Sequence, residues 1–294
     1  MRYAALILSW LCLTVLFVTG CDRNDTSSSD SDEKPLPEQE IAGIWWGYIV
    51  PFGSHTGEFM MGIITEEHMV MLVTDDAQYV GPAGALKVYP DTIVISGILS
   101  EYLYDDDPSD YFNVTSSENS YDGFIFGSAL TLYQRGQSDG DTLQLYYNTT
   151  YDKVPPNVAN LKGVWHLENT SGIGESVSLV ITPDTANTTA GGAVRSGAVR
   201  VKRGMTDNDT GTDMFESDNG TIVIHYSNPA RNVYEVSLTT LDGIELSGLA
   251  AYVEGVSTQG VSVPKMMAIG VSGASSGNIK SFSGLASFYK TLAP

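Results

Sequence analysis

Cysteine is scarce in this chain of 294 residues, which contains two, Cys12 and Cys21. Cys12 lies inside an uncharged apolar run, residues 4–18, and Cys21 stands where that run gives way to a polar segment. If the apolar run is cleaved off, a single cysteine remains and no intramolecular disulfide can form. We therefore expect the folded part to be stabilised by packing alone.

Positive charge is also scarce, since 15 Lys and Arg stand against 35 Asp and Glu, for a formal net charge of −20. A polyanion of this size is repelled by phosphates, which excludes nucleic acid as a partner. The imbalance is concentrated in residues 41–154, which hold 16 acidic and 3 basic residues, against 12 and 9 in residues 155–294. Either the first half faces cations or a basic partner, or its charge serves solubility.

The chain lacks the residue patterns of common catalytic and metal centres. None of its four histidines has a partner at a metal-ligand spacing. Residues Gly273–Gly277 match the letters of the Gly-x-Ser-x-Gly nucleophile motif, but that motif works at a strand-to-helix turn and no helical pattern follows here. We predict a hairpin loop there, and no catalytic residue, cofactor or enzymatic activity. The histidines are His55, His68, His166 and His225.

Two acidic loops are weak candidates for a cation site. In the segment 207–218 oxygen ligands recur at alternating positions, as Ca²⁺ prefers, although Thr212 stands where an EF-hand needs glycine. Acidic surface loops are equally expected in a chain of this charge. The candidate calcium ligands are Asp207, Asp209, Asp213 and Asp218, and the second cluster is Asp105, Asp106, Asp107 and Asp110.

Aromatic residues are concentrated in the first half of the chain. Most belong to runs with high β preference and are expected to pack against cross-strand neighbours. In the segment 102–112 they alternate with acidic residues, which also suits an exposed surface that binds protein or glycan. The weak candidate binding residues are Tyr102, Tyr104, Tyr111 and Phe112.

The N-terminus has the organisation of an export signal, with Arg2 before an apolar run too short to span a bilayer comfortably. The residues Val18-Thr19-Gly20-Cys21 that follow resemble the lipobox of bacterial lipoproteins. That resemblance implies cleavage of residues 1–20, lipidation of Cys21 and a place in the cell envelope, on the inner or the outer membrane. More than one acyl chain gives stable anchoring, since each buried CH₂ contributes about 0.8 kcal/mol.

Residues 21–40 are rich in Ser, Asp and Glu, with prolines at 35 and 37, and contain almost nothing to bury. The composition predicts a disordered tether. The 19 residues after Cys21 give an r.m.s. reach of roughly 25 Å if they behave as a flexible coil. We interpret them as a spacer between a membrane and a folded body.

The body shows an internal duplication, which predicts one domain over residues 41–154 and a second over 155–294. Four matches fall in the same order in both halves. They are IAGIW with LKGVW, GEFMMGIIT with GESVSLVIT, TIVI with TIVI, and DGFIFGSALTLY with DGIELSGLAAY.

Both copies consist of short runs rich in Val, Ile, Tyr and Thr, separated by turn residues, and no convincing amphipathic helix follows residue 21. We predict an all-β protein with two tandem antiparallel β-sandwich or β-barrel domains. In the second, a strand over 198–203 would point Val199 and Val201 to the core and Arg200 and Lys202 to the opposite face.

Each copy opens with Gly-x-Trp, at Gly43-Ile44-Trp45 and Gly163-Val164-Trp165, which resembles the first-strand motif of lipocalins. The resemblance implies a Trp that closes the base of an eight-stranded barrel carrying a small apolar ligand. A core Trp that starts a β-domain without any ligand is the alternative.

These observations favour a membrane-anchored envelope lipoprotein that acts as a non-enzymatic interaction or accessory module. Its expected partners are the membrane, through the Cys21 lipid, and another envelope protein. The alternative is a lipocalin-like carrier of a small apolar ligand. The two hypotheses differ in what fills each domain, which is a packed core in one and an apolar cavity in the other.

Overall fold

The structure is a computed structural model, and both of its β-domains belong to one compact unit, Pro35–Pro294. Residues 1–40, with Cys21, lie outside the part that it describes. The described residues are 41–50, 53–54, 57–67, 69–74, 79–88, 93–102, 114–126, 128–134, 140–167, 177–205, 211–216, 219–226, 231–254, 256–258, 261–263, 265–275 and 278–290.

The first eight strands form a closed barrel in which each strand pairs antiparallel with the next and the last pairs back with the first. Closure leaves no sheet edge unpaired. The strands are β1 (Gly43–Val50), β2 (Glu58–Ile64), β3 (Met69–Thr74), β4 (Tyr79–Val88), β5 (Ile93–Tyr102), β6 (Val114–Phe126), β7 (Ala129–Gln134) and β8 (Thr142–Asn148).

A short connection leads from the barrel to the second domain. It contains a single helical turn, α1 (Thr150–Lys153), and a 3₁₀ turn, Val158–Leu161. Asn157 caps the 3₁₀ turn, since its side-chain oxygen accepts a hydrogen bond of 3.0 Å from the backbone N–H of Ala159. The same oxygen accepts a bond of 3.0 Å from the N–H of Val194, which holds the connection against the second domain.

The second domain is one curled antiparallel sheet in the order β10-β9-β19-β18-β15-β14-β13-β11-β12. It curls until β10, at one edge, pairs with β11, next to the other edge, so that eight of its strands form a ring of pairings. The strands are β9 (Gly163–Leu167), β10 (Val177–Pro183), β11 (Ser196–Arg203), β12 (Thr212–Asp213), β13 (Thr221–Ile224), β14 (Val233–Thr239), β15 (Glu245–Val253), β18 (Met266–Ser275) and β19 (Asn278–Lys290), with a separate hairpin of β16 (Val256–Thr258) and β17 (Val261–Val263).

The first and last strands of the two domains meet in the same way around a buried tryptophan. Trp45 pairs with Tyr147 of β8, and Trp165 pairs with Phe288 of β19. In each case the last-strand aromatic contacts the indole edge-on, at 5.6 Å and 5.1 Å between ring centroids. The predicted fold class, all-β with two tandem antiparallel domains, is therefore confirmed.

Each tryptophan also makes the same hydrogen bond. Trp45 Nε1 donates to the carbonyl of Ile41 at 3.0 Å, and Trp165 Nε1 donates to the carbonyl of Leu161 at 2.9 Å. This bond satisfies the one polar atom of a fully buried ring. It fixes the residues just before each first strand across the base of the domain.

Two of the four sequence matches are equivalent in the structure and two are not. Gly43 pairs with Ile64 and Gly163 pairs with Ile181, so the first two matches coincide in register. The two TIVI segments fall on different strands of their rings, chiefly β5 in the first domain and β13 in the second. In the fourth match the residues at the end of β6 correspond in sequence to the turn before β15, so the two segments are not structurally equivalent.

Large side chains pack in the interior of both domains, as far as the described residues show. In the first, the inward residues of β1–β3 and β6–β8 include Trp45, Met60, Leu132 and Leu145, each at most 3% exposed. In the second, the core contains Trp165, Tyr252 and Phe282 together with the inward residues Val199 and Val201. The prediction for the strand around Val199 is confirmed, and Arg200 on its other face is exposed.

The two domains contact each other through apolar side chains on their outer surfaces. Outward residues of β1–β3 pack against outward residues of β14, β15, β18 and β19. Burying one side chain of the size of Ile or Met contributes about 1.5–3 kcal/mol, so a contact of this size holds the domains together. The buried residues are Ala42, Ile44, Met61, Ile63, Met71, Val73 and Tyr151 on one side and Val233, Leu249, Ala251, Val253, Ala268 and Leu285 on the other.

A charged cluster reinforces this contact at the connection. Arg231, which precedes β14, pairs with Glu66 of the first barrel at 3.3 Å and with Asp152 of α1 at 2.5 Å. Asp152 also accepts a hydrogen bond from the Tyr147 hydroxyl. Burial and this bond raise the pKa of Tyr147. The cluster therefore joins the last strand of the first barrel to the second domain.

The segment around Gly273–Gly277 is a hairpin, since β18 ends at Ser275 and β19 begins at Asn278. The predicted loop is thus confirmed. Within the residues that the structure describes, no helix combines the length and apolar composition that crossing a membrane requires.

Two glycines allow the sixth and seventh strands of each ring to approach closely. A Cβ at Gly123 of β6 would lie 1.9 Å from the carbonyl oxygen of Thr131 in β7. A Cβ at Gly248 of β15 would lie 2.0 Å from the carbonyl oxygen of Gly270 in β18. These distances are far below van der Waals contact, and the obstacle is backbone, so the strands must separate to accept any side chain.

We expect Gly123→Ala and Gly248→Ala each to lower the free energy of unfolding by about 2 kcal/mol or more, because the added methyl group forces the backbones apart. Urea denaturation followed by tryptophan fluorescence measures the loss. Gly191→Ala is the matched control, since a methyl group at that position would lie 3.7 Å from its nearest neighbouring atom. A loss as large in the control as in the two strand variants would contradict the explanation.

Candidate functional site

The outer surface of the first barrel has an open side that carries exposed aromatic residues. Tyr48 of β1, Phe124 of β6, Tyr133 of β7 and Tyr146 of β8 are each about half exposed, at 48–51%. Their strands are neighbours in the ring, which runs β6-β7-β8-β1. Large aromatic residues are seldom clustered on a surface that has no binding role.

The pairing register shows how these side chains are arranged. Phe124 pairs with Thr131, Thr131 with Gln144, and Gln144 with Tyr48, so one row crosses four strands. Three strand spacings separate its ends, or about 14 Å at the usual spacing. Phe124 and Tyr48 therefore stand at the two ends of a row whose centre is the pair Thr131 and Gln144.

The other two aromatic residues lie above and below this row. Tyr133 follows Thr131 by two residues on β7, and Tyr146 follows Gln144 by two residues on β8, so both project from the same outer face. Because β7 and β8 run antiparallel, they flank the central pair on opposite sides. We call this surface the aromatic face: Tyr48, Phe124, Tyr133 and Tyr146 around Thr131 and Gln144.

A rigid interior supports the aromatic face. The residues that alternate with it, Leu130, Leu132, Leu143 and Leu145, are at most 1% exposed. Edge-on and tilted ring contacts add lateral support, at 5.9 Å between Tyr48 and its neighbour Phe59 and at 6.5 Å between Phe124 and Tyr133. The face is therefore preorganised by regular strands.

The aromatic face is uncharged at its centre. Strands β1, β2, β6, β7 and β8 contain no Lys or Arg. Asp122, which pairs with Tyr133, places a carboxylate at one edge. On the inner side of β6, burial and the negative charge of Asp141 raise the pKa of Tyr121 to about 12. The centre therefore offers one hydroxyl and one amide, both neutral donors and acceptors.

A separate feature, away from the aromatic face, is an open cleft of about 320 Å³ at the junction of the domains. Met69 of the first barrel and Leu249 of the second domain contribute apolar surface to it, and Glu235 a carboxylate. One oxygen of Glu235 already accepts a hydrogen bond of 2.9 Å from the backbone N–H of Tyr226. Thr221, Ser237 and Ser247 contribute hydroxyls, and Val223 and Val236 contribute further apolar surface. The cleft contains no convergent set of catalytic side chains among its lining residues.

Few of the site residues predicted from the sequence are among the residues that the structure describes. Of the calcium candidates, Asp213 lies on β12 and pairs with Lys202 at 3.6 Å, while Asp207, Asp209 and Asp218 lie outside the described residues. No group of three or more His, Cys, Asp or Glu suited to a metal ion occurs in the described part of the chain.

The predicted aromatic segment is also mostly outside the description. The backbone of Tyr102 ends β5, and Tyr104, Tyr111 and Phe112 fall in the range 103–113 that is not described. The aromatic face was not predicted. Its signal is the repeated pattern Leu-x-Leu-Tyr at 130–133 and 143–146, in which Leu points inward and Tyr shares the outward phase.

The described histidines have structural surroundings. His166 Nδ1 lies 2.7 Å from the Ser178 hydroxyl, and its ring lies against Tyr289 at 4.1 Å between centroids. His225 is 2% exposed. His166 lies within hydrogen-bond distance of a serine hydroxyl, but Ser178 is fully buried, so a substrate cannot reach that hydroxyl from solvent.

Comparison with known proteins adds one distant similarity. No protein-family model matches the chain, and no curated protein matches it significantly. A crystal structure of a Bacteroides fragilis NCTC 9343 protein, provisionally named an outer membrane protein, matches 86% of this chain and 99% of that one. The identity is 14% and the TM-score is 0.23, and a TM-score this low does not establish a shared fold.

We expect Tyr48→Ala and Tyr146→Ala each to change the free energy of unfolding by about 1 kcal/mol or less, since half-exposed side chains contribute little to the core. Leu145→Ala, on the inner side of the same strand, should cost about 2–5 kcal/mol. Thermal and urea denaturation compare the three variants. A cost for the tyrosines equal to that of Leu145 would show that they serve stability.

Proposed function

We propose that this protein is a cell-envelope lipoprotein that acts as a non-enzymatic binding module, with the aromatic face as its contact surface. The observation that carries the proposal is the aromatic face itself, which is solvent-exposed on strands whose inward leucines are buried. Exposed aromatic side chains on a regular sheet offer a partner a preformed contact surface.

The distribution of outward residues supports this proposal. On β1–β3 the outward residues Ile44, Met61, Ile63, Met71 and Val73 are buried against the second domain. On β6–β8 the outward aromatic side chains have no such cover among the described residues. Trp46 and Phe59, half-buried at the border, connect the two regions. One outer side of the barrel thus serves assembly within the chain, and the other is available to a partner.

The lipobox-like Val18–Cys21 supports the envelope location. Cys21 is separated by residues 22–40 from Ile41, which lies two residues before the first strand of the barrel with the aromatic face. The barrel that carries the face is therefore the one next to the proposed anchor. Its strongly acidic composition disfavours contact with anionic headgroups and favours a partner other than the bilayer surface.

We expect Cys21→Ser to abolish incorporation of an alkyne-labelled palmitate and to move the protein from the membrane fraction to the soluble fraction of a producing bacterium. The reason is that Cys21 is the proposed acyl acceptor and the chain has one other cysteine. Cys12→Ser, inside the segment expected to be cleaved, is the matched control and should retain labelling. Equal labelling of wild type and Cys21→Ser would contradict the anchor.

A carrier of a small apolar ligand is the second candidate. Two observations favour it: each domain opens with Gly-x-Trp on an eight-membered ring of strands, and the Tyr252 hydroxyl is buried in the second core with no hydrogen-bond partner among the described residues. An eight-stranded ring is just wide enough for side chains to fill it or for one small ligand.

Native mass spectrometry of residues 22–294, purified gently from the periplasm, distinguishes the two functions. We expect the mass of the chain alone, because Trp165, Tyr252 and Phe282 already fill the second core. Denatured protein from the same preparation is the control. A stable adduct of a few hundred daltons that disappears on denaturation would favour the carrier.

A further inference from the structure

We propose that the aromatic face binds an uncharged glycan chain. This inference rests on the proposed binding function and names the class of ligand. It follows from the arrangement of the face, in which neutral hydrogen-bonding groups lie at the centre and aromatic rings surround them.

The arrangement is the reverse of an ordinary protein interface. Protein interfaces have an apolar, aromatic-rich core and a polar rim. Here Thr131 and Gln144 occupy the centre, and the four aromatic residues occupy the periphery. A partner protein would bury the polar pair and leave the rings at the wet edge, which is the less favourable combination.

Sugar rings have the complementary chemistry. Their C–H faces are apolar and pack on aromatic rings, and their hydroxyl edges donate and accept hydrogen bonds. Gln144 offers a donor and an acceptor from one exposed side chain, and the Thr131 hydroxyl offers both functions beside it. Tyrosine suits such a contact because it presents an apolar ring with a polar end.

The dimensions favour a chain of sugars over a single one. Tyr48 and Phe124 are about 14 Å apart across the sheet, by three strand spacings. A monosaccharide at the centre would not reach both. A glycan chain that crosses the strands contacts the two outer rings and the central pair together.

Charge defines the class further. The chain carries a net charge of −20, and among the described residues Asp122 places a carboxylate at the edge of the face. The five strands around the face contain no Lys or Arg, so these strands supply no positive charge to compensate a carboxylate, sulfate or phosphate on the ligand. Uncharged glycans are therefore favoured over anionic ones.

The test is isothermal titration of residues 22–294 with a panel of neutral hexasaccharides of glucose, mannose, xylose and N-acetylglucosamine, and with hexagalacturonate as the anionic probe. We expect millimolar or tighter binding of at least one neutral hexasaccharide and none of hexagalacturonate. The double variant Tyr48→Ala, Tyr146→Ala should bind at least tenfold more weakly, and Gln144→Ala should also lose affinity.

Tyr226→Ala is the matched control, since Tyr226 is 87% exposed on the second domain and lies outside the aromatic face. It should bind as the wild type does. Denaturation curves of all variants show whether each has folded. Absence of binding across the neutral panel, or binding that the double variant retains, would overturn the proposal.

A photo-crosslinking residue at position 144, used in producing cells, separates failure of this inference from failure of the proposed function. Crosslinks to a protein, without glycan binding in solution, would reject the glycan and leave the binding module in place. Crosslinks to lipid, or binding of neutral phosphatidylcholine vesicles through Tyr48 and Tyr146, would likewise reject it. If neither glycan binding nor any crosslink is observed, both proposals are rejected.

Discussion

Closure of each ring of strands is the constraint on which the rest of this structure depends. In the first barrel β1 must pair with both β2 and β8, which brings residues near 48 and near 144 side by side. Closure gives the strands an inside and outside alternation, with register shifts between β3 and β4, between β4 and β5 and between β9 and β19. The tryptophan near the start of the first strand, held by its own backbone hydrogen bond and by an aromatic residue of the last strand, lies at the seam in both domains.

Once the interior is packed, the outward positions of the first barrel have distinct roles. Ile44, Met61 and Ile63 become part of a shared core with the second domain. Tyr48, farther along β1, and Tyr146 of the neighbouring strand β8 remain about half exposed. One strand, β1, contributes to both regions, since its outward residues pass from buried Ile44 through half-buried Trp46 to exposed Tyr48. The second domain is thus a support for one side of the barrel.

The sequence predicts the class of fold well because its signals are local. Alternation of apolar and polar residues, turn residues between short runs and the repeated Gly-x-Trp all act within a few residues, and they predict two tandem antiparallel β-domains. The register of the first two strands follows as well, since the offsets of Trp45 to Trp165 and of Ile64 to Ile181 fit one pairing pattern. The identical TIVI segments mislead, because β-branched runs recur for their strand preference and occupy different strands of the rings.

The aromatic face could not be predicted from local sequence patterns, for a physical reason. Tyr133 and Tyr146 share the outward phase, but exposure depends on which outer side of the barrel the second domain covers. That is decided by a buried cluster that contains residues more than 150 positions apart, such as Met61 and Leu249. The acidic segments that attracted attention in the sequence lie largely outside the described residues, apart from Asp213, which pairs with Lys202.

The aromatic face straddles the seam where the first and last strands meet, since Tyr48 lies on β1 and Gln144 on β8. Any molecule that binds across it contacts both β1 and β8 and so stabilises the closed barrel. Binding to the closed form alone adds its free energy to the stability of that form. A chain whose ring has not closed has the same side chains but no contiguous aromatic face. A partner that needs the whole face would therefore bind this protein only after its barrel has folded.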